Sequence, residues 1–501
     1  MKKINFSSFA QKKLGNRSLA EYIAEIQKIY CADTRPWVIG FSGGKDSTAV
    51  LEIVYMALLQ LTTCHKPLFV VSSDTRVETP VVMRLIHHTL RQLHQAAKQH
   101  HLPLSTHQVY PDVKETFWVN LLGKGYPAPT SHFRWCTERM KIMPVNRFIL
   151  NQVARYQEVI IVLGSRIQES NTRAQVLKKH RIDHSRLAKH TTLPHAYIYT
   201  PIETWSSEEV WEFLLTIPNP WGGDNQSLFE LYKDSNAGEC PLVIDTSTPS
   251  CGHSRFGCWV CTVVKKDRAM EGLIESGETW MQPLLDFRNK LAETTIPEKK
   301  KEFRNFKRRT GKVTYVPETH GDELKHIPGP YWLTHRQAWL KELLLLQKHL
   351  QKQHPDLELI TPSELHRIRK EWIHDPNEPD WTDSLPRIYR EVYQTDLDWI
   401  ENDAGSFTKP DAELLAELEK KFQVPAPMIM KLLELELSMD GLSKRSGIFQ
   451  KIETILTQDW EPLEQIHHRQ KEVRIGETYK ERHLLLHKEY HKLIKKTTSA
   501  P

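Results

Sequence analysis

The stretch Phe41-Ser42-Gly43-Gly44-Lys45-Asp46-Ser47 constrains this chain more than any other. It follows a short apolar run, Trp37-Val38-Ile39, that reads as a buried strand. It precedes residues 48–61, where Val50, Ile53, Val54, Ala57, Leu58 and Leu61 recur at helical spacing. Two glycines on a strand-to-helix turn let the backbone approach a ligand closely and present its N–H groups. Those groups and the positive end of the following helix form an anion site. Ser42 and Ser47 add hydroxyl donors, and Lys45 adds a counter-charge. Asp46 is the odd member, because a carboxylate beside a phosphate is repelled unless a cation such as Mg²⁺ lies between them. The loop is not a Walker A motif, since Asp46 separates Lys45 from Ser47.

Strand and helix patterns alternate after the loop. Leu68-Phe69-Val70-Val71 reads as a strand, and a helix follows Pro80 through Val82, Leu85, Ile86 and Leu90. Residues 104–109 read as a third strand and residues 158–163 as a fourth. This order predicts an α/β fold with a doubly wound, mostly parallel sheet. Ligands then bind at the carboxyl ends of the strands. The loop at 42–47 and the polar turns at 74–79 and 164–173 all fall there. In those turns Arg166 and Arg173 suit phosphates. Asp74 adds a carboxylate, and Glu78 and Glu169 suit ribose hydroxyls, a metal ion or the arginines.

The chain has 501 residues, enough for two to four domains. The sheet domain is expected over residues 1–223, a cysteine-bearing insert over 224–270 and a mostly helical region over 271–501. Helices are expected at 334–350, 411–422, 448–456 and 479–496, with Thr361-Pro362-Ser363-Glu364 opening another as a capping box. Hydrophobic residues at 39% and charged residues at 26% suit a globular chain, and the net charge of +6 is too mild to prove a nucleic-acid partner. No run reads as a membrane span and no signal peptide opens the chain, so a cytoplasmic protein without a membrane partner is expected. Seven cysteines argue against a complete disulfide framework. Cys31, Cys64 and Cys136 stand alone, whereas Cys240, Cys251, Cys258 and Cys261 cluster. Clustered cysteines in a reducing compartment point to metal. Thiolates suit both zinc and iron–sulfur clusters.

The S-G-G-K-D-S string resembles the pyrophosphate loop of N-type ATP pyrophosphatases, which cleave ATP between the α and β phosphates. Together with D-T-x-x-E-T-P at 74–80 and G-x-R-x-x-E-S-x-x-R at 164–173, it resembles the adenylyl-sulfate (PAPS) reductase branch of that superfamily. That resemblance covers roughly residues 35–215 and implies an adenine nucleotide alpha hydrolase-like fold. Arg134-Trp135-Cys136-Thr137-Glu138-Arg139-Met140-Lys141 is similar to the R-C-C-x-x-x-K segment of iron–sulfur adenylyl-sulfate reductases. Trp135 replaces the first cysteine of that pair, and the chain ends Ser499-Ala500-Pro501 without the reductase E-C-G-L-H tail. A plain sulfonucleotide reductase is therefore not expected.

The Cys-x10-Cys-x6-Cys-x2-Cys cluster, with Gly238-Glu239-Cys240-Pro241 and Arg255-Phe256-Gly257-Cys258-Trp259-Val260-Cys261, resembles the DndC sulfurtransferases of DNA phosphorothioate modification. The resemblance implies ATP, Mg²⁺ and a [4Fe–4S] cluster as cofactors. It implies DNA, a cysteine desulfurase and the DndD and DndE proteins as partners. Five cysteines, 136, 240, 251, 258 and 261, then compete for four ligand places. A spare one, Cys136 among them, would carry sulfur as a persulfide. Lys45 and Asp46 would serve the pyrophosphate chemistry. An ATP-dependent tRNA thiolase and a non-catalytic nucleotide-binding scaffold are the alternatives. DNA binding needs basic surface, and the best stretches are Lys299-Lys300-Lys301 with Arg304, Lys307, Arg308 and Arg309 around Phe303 and Phe306, and Lys178-Lys179-His180-Arg181.

Overall fold

A computed structural model describes residues 6–169, 175, 178–182, 185–235, 257–316, 325–375, 377–398, 409–439 and 447–497. After a small hairpin of β1 (Lys13–Leu14) and β2 (Arg17–Ser18), helix α1 (Leu19–Cys31) opens with a Ser18/Glu21 capping box. The central sheet contains β3 (Trp37–Gly40), β4 (Leu68–Ser73), β5 (Leu104–Val109), β6 (Val159–Val162), β7 (Ala188–Lys189) and β8 (Ala196–Tyr199). Its strand order is β5-β4-β3-β6-β8-β7, and only the β7/β8 pairing is antiparallel. The expected α/β, largely parallel architecture is thus present, with a helical C-terminal region.

Helices α2 (Lys45–Leu59) and α3 (Pro80–Gln99) join the first parallel strands, and α4 (Met143–Tyr156) precedes β6. Alternate residues of each strand enter separate cores. Trp37, Ile39, Val70, Ile160 and Val162 pack with α1, α2 and α3. Val38, Phe69, Val71, Val159 and Ile161 pack with Ile149 of α4. Coverage on both faces explains why these strands read as unbroken apolar runs rather than alternating ones. β7 and β8 escape the sequence reading because they are short, and β8 mixes two tyrosines into its apolar pattern.

The chain divides into two compact units. The first holds Met1–Leu121, Ala128–Ile296 and Lys341–Arg367, and so contains the sheet. Thr361 and Glu364 form the expected capping box there: the Thr361 N–H donates to Glu364 Oε2 at 2.9 Å, and the Glu364 N–H donates to Thr361 Oγ1 at 3.2 Å. The second unit holds Leu122–Pro127, Pro297–Leu340 and Ile368–Pro501. Its centre includes Arg336, fully buried, paired with Asp375 at 2.9 Å and donating to the Gly123 carbonyl at 2.7 Å. Helices Leu333–Leu350, Lys409–Phe422 and Ile448–Leu456 fall where the periodicity places them. The last helix starts earlier than expected and runs over Leu463–Thr497. No helix among the described residues is long and apolar enough to cross a membrane.

Candidate active site

The phosphate-loop residues sit at the carboxyl end of β3. Gly43 has φ +75, and a Cβ on it would lie 2.6 Å from Ile86, so both conformation and space demand glycine. Gly44 is the N-cap of α2 and supplies no side-chain acceptor to the helix N–H groups. The loop is braced internally instead. The Ser42 and Ser47 hydroxyls lie 3.2 Å apart, and Ser47 Oγ donates to the Gly44 carbonyl at 2.8 Å. This arrangement keeps the helix start free of its own side-chain cap, as an anion site requires.

β6 neighbours β3, so the turn after β6 meets the loop. A Cβ on Gly164 would lie 2.7 Å from the Asp46 carbonyl oxygen; the turn can sit this close only with glycine there. Arg166 then reaches Asp46, with Nε donating to Oδ1 at 2.6 Å and Nη2 to Oδ2 at 3.3 Å. Both side chains are buried, 6% and 5% exposed. The Asp46 carboxylate, expected to face a metal ion, has both oxygens on a guanidinium. Arg166, expected to face phosphate, spends its fork on Asp46. The pair fixes the two loops to each other, and Asp46 does not fit an open Mg²⁺ ligand in this arrangement.

The turn after β4 carries Asp74, Thr75, Arg76 and Glu78. Asp74 Oδ1 accepts the Arg76 N–H at 2.8 Å, which accompanies a left-handed Arg76 at φ 66. Burial pushes the Asp74 carboxyl above its ordinary range. Glu78 is engaged by Lys141, Thr75 and Cys258. Its Oε1 pairs with Lys141 Nζ at 3.3 Å, accepts from Thr75 Oγ1 at 2.9 Å and lies 3.7 Å from Cys258 Sγ. The turn is stitched to the C-x-x-C segment by Thr79 N–H to the Gly257 carbonyl at 3.2 Å and Trp259 N–H to the Val77 carbonyl at 2.9 Å.

Cys136 starts a π-helical segment, Thr137–Ile142, that leads into α4 and carries Lys141. Cys136, Cys258 and Cys261 lie close enough for charge on one to act on another. Burial pushes the Cys136 thiol up to about 11, raises Cys258 well above the ordinary thiol value and raises Cys261. The thiols are half-buried, and aromatic rings pack in the same region. Trp135 stacks on Phe117 with centroids 5.5 Å apart, and Trp118 contacts both Trp259 and Phe287. Trp135, which stands where the reductase segment has a cysteine, is buried next to Cys136 in sequence. Arg288, fully buried, holds the C-x-x-C turn by donating to the carbonyls of Cys261 at 2.8 Å, Lys265 at 3.0 Å and Val264. Among the described residues, no three histidine, cysteine or carboxylate side chains converge as a single metal ion needs. An all-thiol donor set remains chemically suited to a larger iron–sulfur cluster. Cys240, Cys251 and Arg173 fall outside the described residues, as does the Glu169 side chain.

The 299–309 stretch keeps exposed cations at Lys301 and Arg308, but its aromatics and two of its arginines are held by packing. Phe303 packs against His335 and Trp339, and Phe306 against Trp332. Arg304 donates to the carbonyls of Gly329 at 2.7 Å and Pro328 at 2.5 Å, and burial pushes its guanidinium down to about 10. Arg309 donates to the Lys124 carbonyl. The aromatics are half-buried and Arg304 and Arg309 are engaged by backbone carbonyls, while Lys301 and Arg308 stay exposed. Lys178 and Lys179 are exposed, while Arg181 pairs with Glu203 at 2.5 Å.

Sequence reasoning missed Lys141 as Glu78's partner, Gly164 as the close-packing position and Arg288 as the clamp. Gly164 had a signal, a glycine directly after a buried strand. Arg288 had none, since it looks like any helical arginine.

Residues 36–264 match the family model of the phosphoadenosine phosphosulfate reductase domain. An uncharacterized protein of Methanocaldococcus jannaschii is 26% identical over 243 residues, covering 48% of this chain and 39% of that protein. The chain therefore matches well under half of that relative's length. The phosphoadenylyl-sulfate reductase of Candida auris, in a phosphate complex, is similar at 10% identity with a TM-score of 0.27, over 44% of this chain and 93% of that one. The U34-tRNA thiolase NcsA of Methanococcus maripaludis, with its [4Fe-4S] cluster, is similar at 12% identity with a TM-score of 0.27, over 56% and 82%. Likenesses this loose identify no substrate. Residues 36–264, with the glycine-rich loop at one end and the C-x-x-C segment at the other, are thus the stretch of the 501-residue chain that resembles a phosphoadenosine phosphosulfate reductase domain.

Proposed function

We propose that this chain is an ATP-dependent sulfurtransferase of the DndC type, acting on DNA. One observation carries the reading most: the turn after β4 joins the two chemistries. Asp74 stands at the carboxyl end of the nucleotide sheet, and four residues on Glu78 touches Cys258. The adjacency of the 42–47 loop's sheet and a half-buried thiol site within one compact unit supports the reading.

In this reading ATP lies with its phosphates on the α2 N-terminus, at Ser42, Gly43, Gly44, Lys45 and Ser47. Mg²⁺ enters with the ATP phosphates, which supply its ligands. A non-bridging DNA phosphate oxygen attacks the α-phosphorus, and pyrophosphate leaves into the N–H groups and the Lys45 charge. A cysteine persulfide at the thiol site would attack the DNA phosphorus, the new P–S bond forming as AMP leaves with that oxygen. A second cysteine thiolate would then attack the carrier cysteine's sulfur, breaking the S–S bond and freeing the DNA phosphorothioate. This leaves a cysteine disulfide for a cellular thiol reductant to reduce. Asp46 and Arg166 hold the two loops in register for both steps. Cys136, Cys258 and Cys261, with a fourth cysteine from the 240–251 segment, would hold a [4Fe–4S] cluster. When bound, it would hold sulfur in reactive form. The aromatic rings in the same region would keep water from competing with sulfur. A cysteine desulfurase would supply sulfur, and DndD and DndE would assist on DNA.

Mass spectrometry of nuclease-digested DNA and tRNA, from cells with and without the gene, tests the substrate. Gene-dependent phosphorothioate dinucleotides are expected in DNA. Gene-dependent thionucleosides in tRNA alone would replace the DNA reading with the tRNA one.

A further inference from the structure

The N–H group at the first turn of α2 is not idle. The Lys45 N–H donates to the Tyr232 hydroxyl at 3.2 Å. The same side chain meets the other end of Lys45, whose Nζ lies 5.6 Å over the Tyr232 ring. Tyr232 is buried, with its ring edge against Trp211 at 5.1 Å. One side chain therefore holds both groups of Lys45 that a phosphate would use: the backbone donor and the ammonium.

Tyr232 belongs to the helix Asn225–Ser235. Its other end is anchored to α2 separately. Asn219 Nδ2 donates to Glu52 Oε1 at 2.8 Å and lies 3.5 Å from Asn225 Oδ1. Asn225 in turn donates to the Leu214 carbonyl at 2.9 Å. The helix is thus pinned near its start and touches the phosphate loop near its end. A neutral hydroxyl is a weaker acceptor than a phosphate oxygen, since hydrogen bonds to charged groups are about twice as strong.

We propose that Tyr232 is a place-holder in the nucleotide site: its hydroxyl occupies the position of a phosphate oxygen and yields it when pyrophosphate or the ATP phosphates bind. The Asn225–Ser235 helix, fixed at Asn225, then registers whether the loop is filled. In sequence that helix leads directly toward Cys240. This assignment rests on the nucleotide reading of the loop.

The test measures inorganic pyrophosphate binding by calorimetry to the full chain and to Tyr232→Phe. Removing the competing hydroxyl should tighten binding roughly 2- to 10-fold, the span of one neutral hydrogen bond. Unchanged or weaker binding overturns the proposal, and weaker binding would mean that the hydroxyl contacts the ligand. A second readout leaves the hydroxyl in place: 3-fluorotyrosine at position 232 should shift its fluorine resonance on saturation with pyrophosphate. An unmoved resonance also overturns the proposal. If the unaltered chain binds neither pyrophosphate nor ATP, the nucleotide reading itself fails, and that result is seen before any variant is compared.

Discussion

The phosphate loop takes its groups from consecutive residues, Ser42 to Ser47, on one strand-to-helix turn. The thiol site collects Thr75, Glu78, Cys136, Lys141, Cys258 and Cys261 from distant stretches of the same unit. The first is shaped by local geometry, glycine at φ +75 and a helix start without a side-chain cap from its own N-cap residue, with Tyr232 as its one distant contact described above. The second exists only after the 75–79 turn, the π-helical segment and the C-x-x-C turn have packed together. Damage to the two should therefore differ in kind. Loop variants should lose chemistry through broken contacts, and thiol-site variants should lose cofactor and local folding together.

The largest effect is expected at the thiols. Cys258→Ser or Cys261→Ser should strip metal from anaerobically purified protein and expose the C-x-x-C segment to protease, because metal binding and folding are coupled in such sites. Iron per chain and limited proteolysis check it. Stoichiometric zinc in the unaltered chain, without iron, would exclude the cluster. Cys136→Ser divides its two assignments: iron falls if Cys136 is a ligand and persists if it only carries sulfur.

Asp46→Asn comes next. It should slow pyrophosphate release roughly 100-fold, the usual cost of letting a positioning contact shift the loop by about 1 Å, because Arg166 would lose its hold on the loop. From sequence alone the variant looks harmless to the fold. The structure says otherwise, because Arg166 would be left buried without its carboxylate, at a cost of roughly 3–5 kcal/mol. Urea unfolding of Asp46→Asn against Asp46→Asn/Arg166→Met checks this, with the double variant regaining part of the loss. Equal stability of both would remove the ion pair as the link between the loops.

Glu52 tests how α2 is anchored. Burial pushes its carboxyl up to about 8. The folded chain then keeps this proton up to about pH 8, while the unfolded chain loses it above about 4.5. Stability must therefore fall as pH rises between those values, by about 1.4 kcal/mol per unit from this group. Glu52→Gln should lose that slope. Urea midpoints at pH 5, 6.5 and 8 for both proteins read the difference, and parallel profiles would mean that Glu52 is ionised in the fold.

The smallest effect concerns the helical unit. Arg304→Gln should cost about 1–3 kcal/mol by removing the Arg304 donor from the Gly329 carbonyl and leaving Pro328 to Arg308 alone. It should leave DNA affinity unchanged in a filter-binding assay. A lost affinity without lost stability would restore Arg304 to a phosphate-binding surface.

The same contrast explains what the sequence disclosed. The loop, the parallel strands at 37–40, 68–73 and 159–162 and the Thr361 capping box are local patterns, so composition and spacing expose them. The Asp46–Arg166 pair joins residues far apart in the chain, and no spacing rule connects them. Charge was the most misleading guide. The 299–309 cations look like nucleic-acid surface, yet Arg304 and Arg309 serve backbone carbonyls in their own unit. A charge run reports how many cations are present, and only packing decides whether they face solvent.

The central claim is that the 42–47 loop directs cleavage between the α and β phosphates of ATP. Incubating the purified chain with DNA and ATP and resolving the products by ion-exchange chromatography tests it directly. AMP and pyrophosphate in equal amounts, formed roughly 100-fold more slowly by Asp46→Asn, are the predicted result. ADP and inorganic phosphate, or no turnover with any nucleic acid, would contradict it.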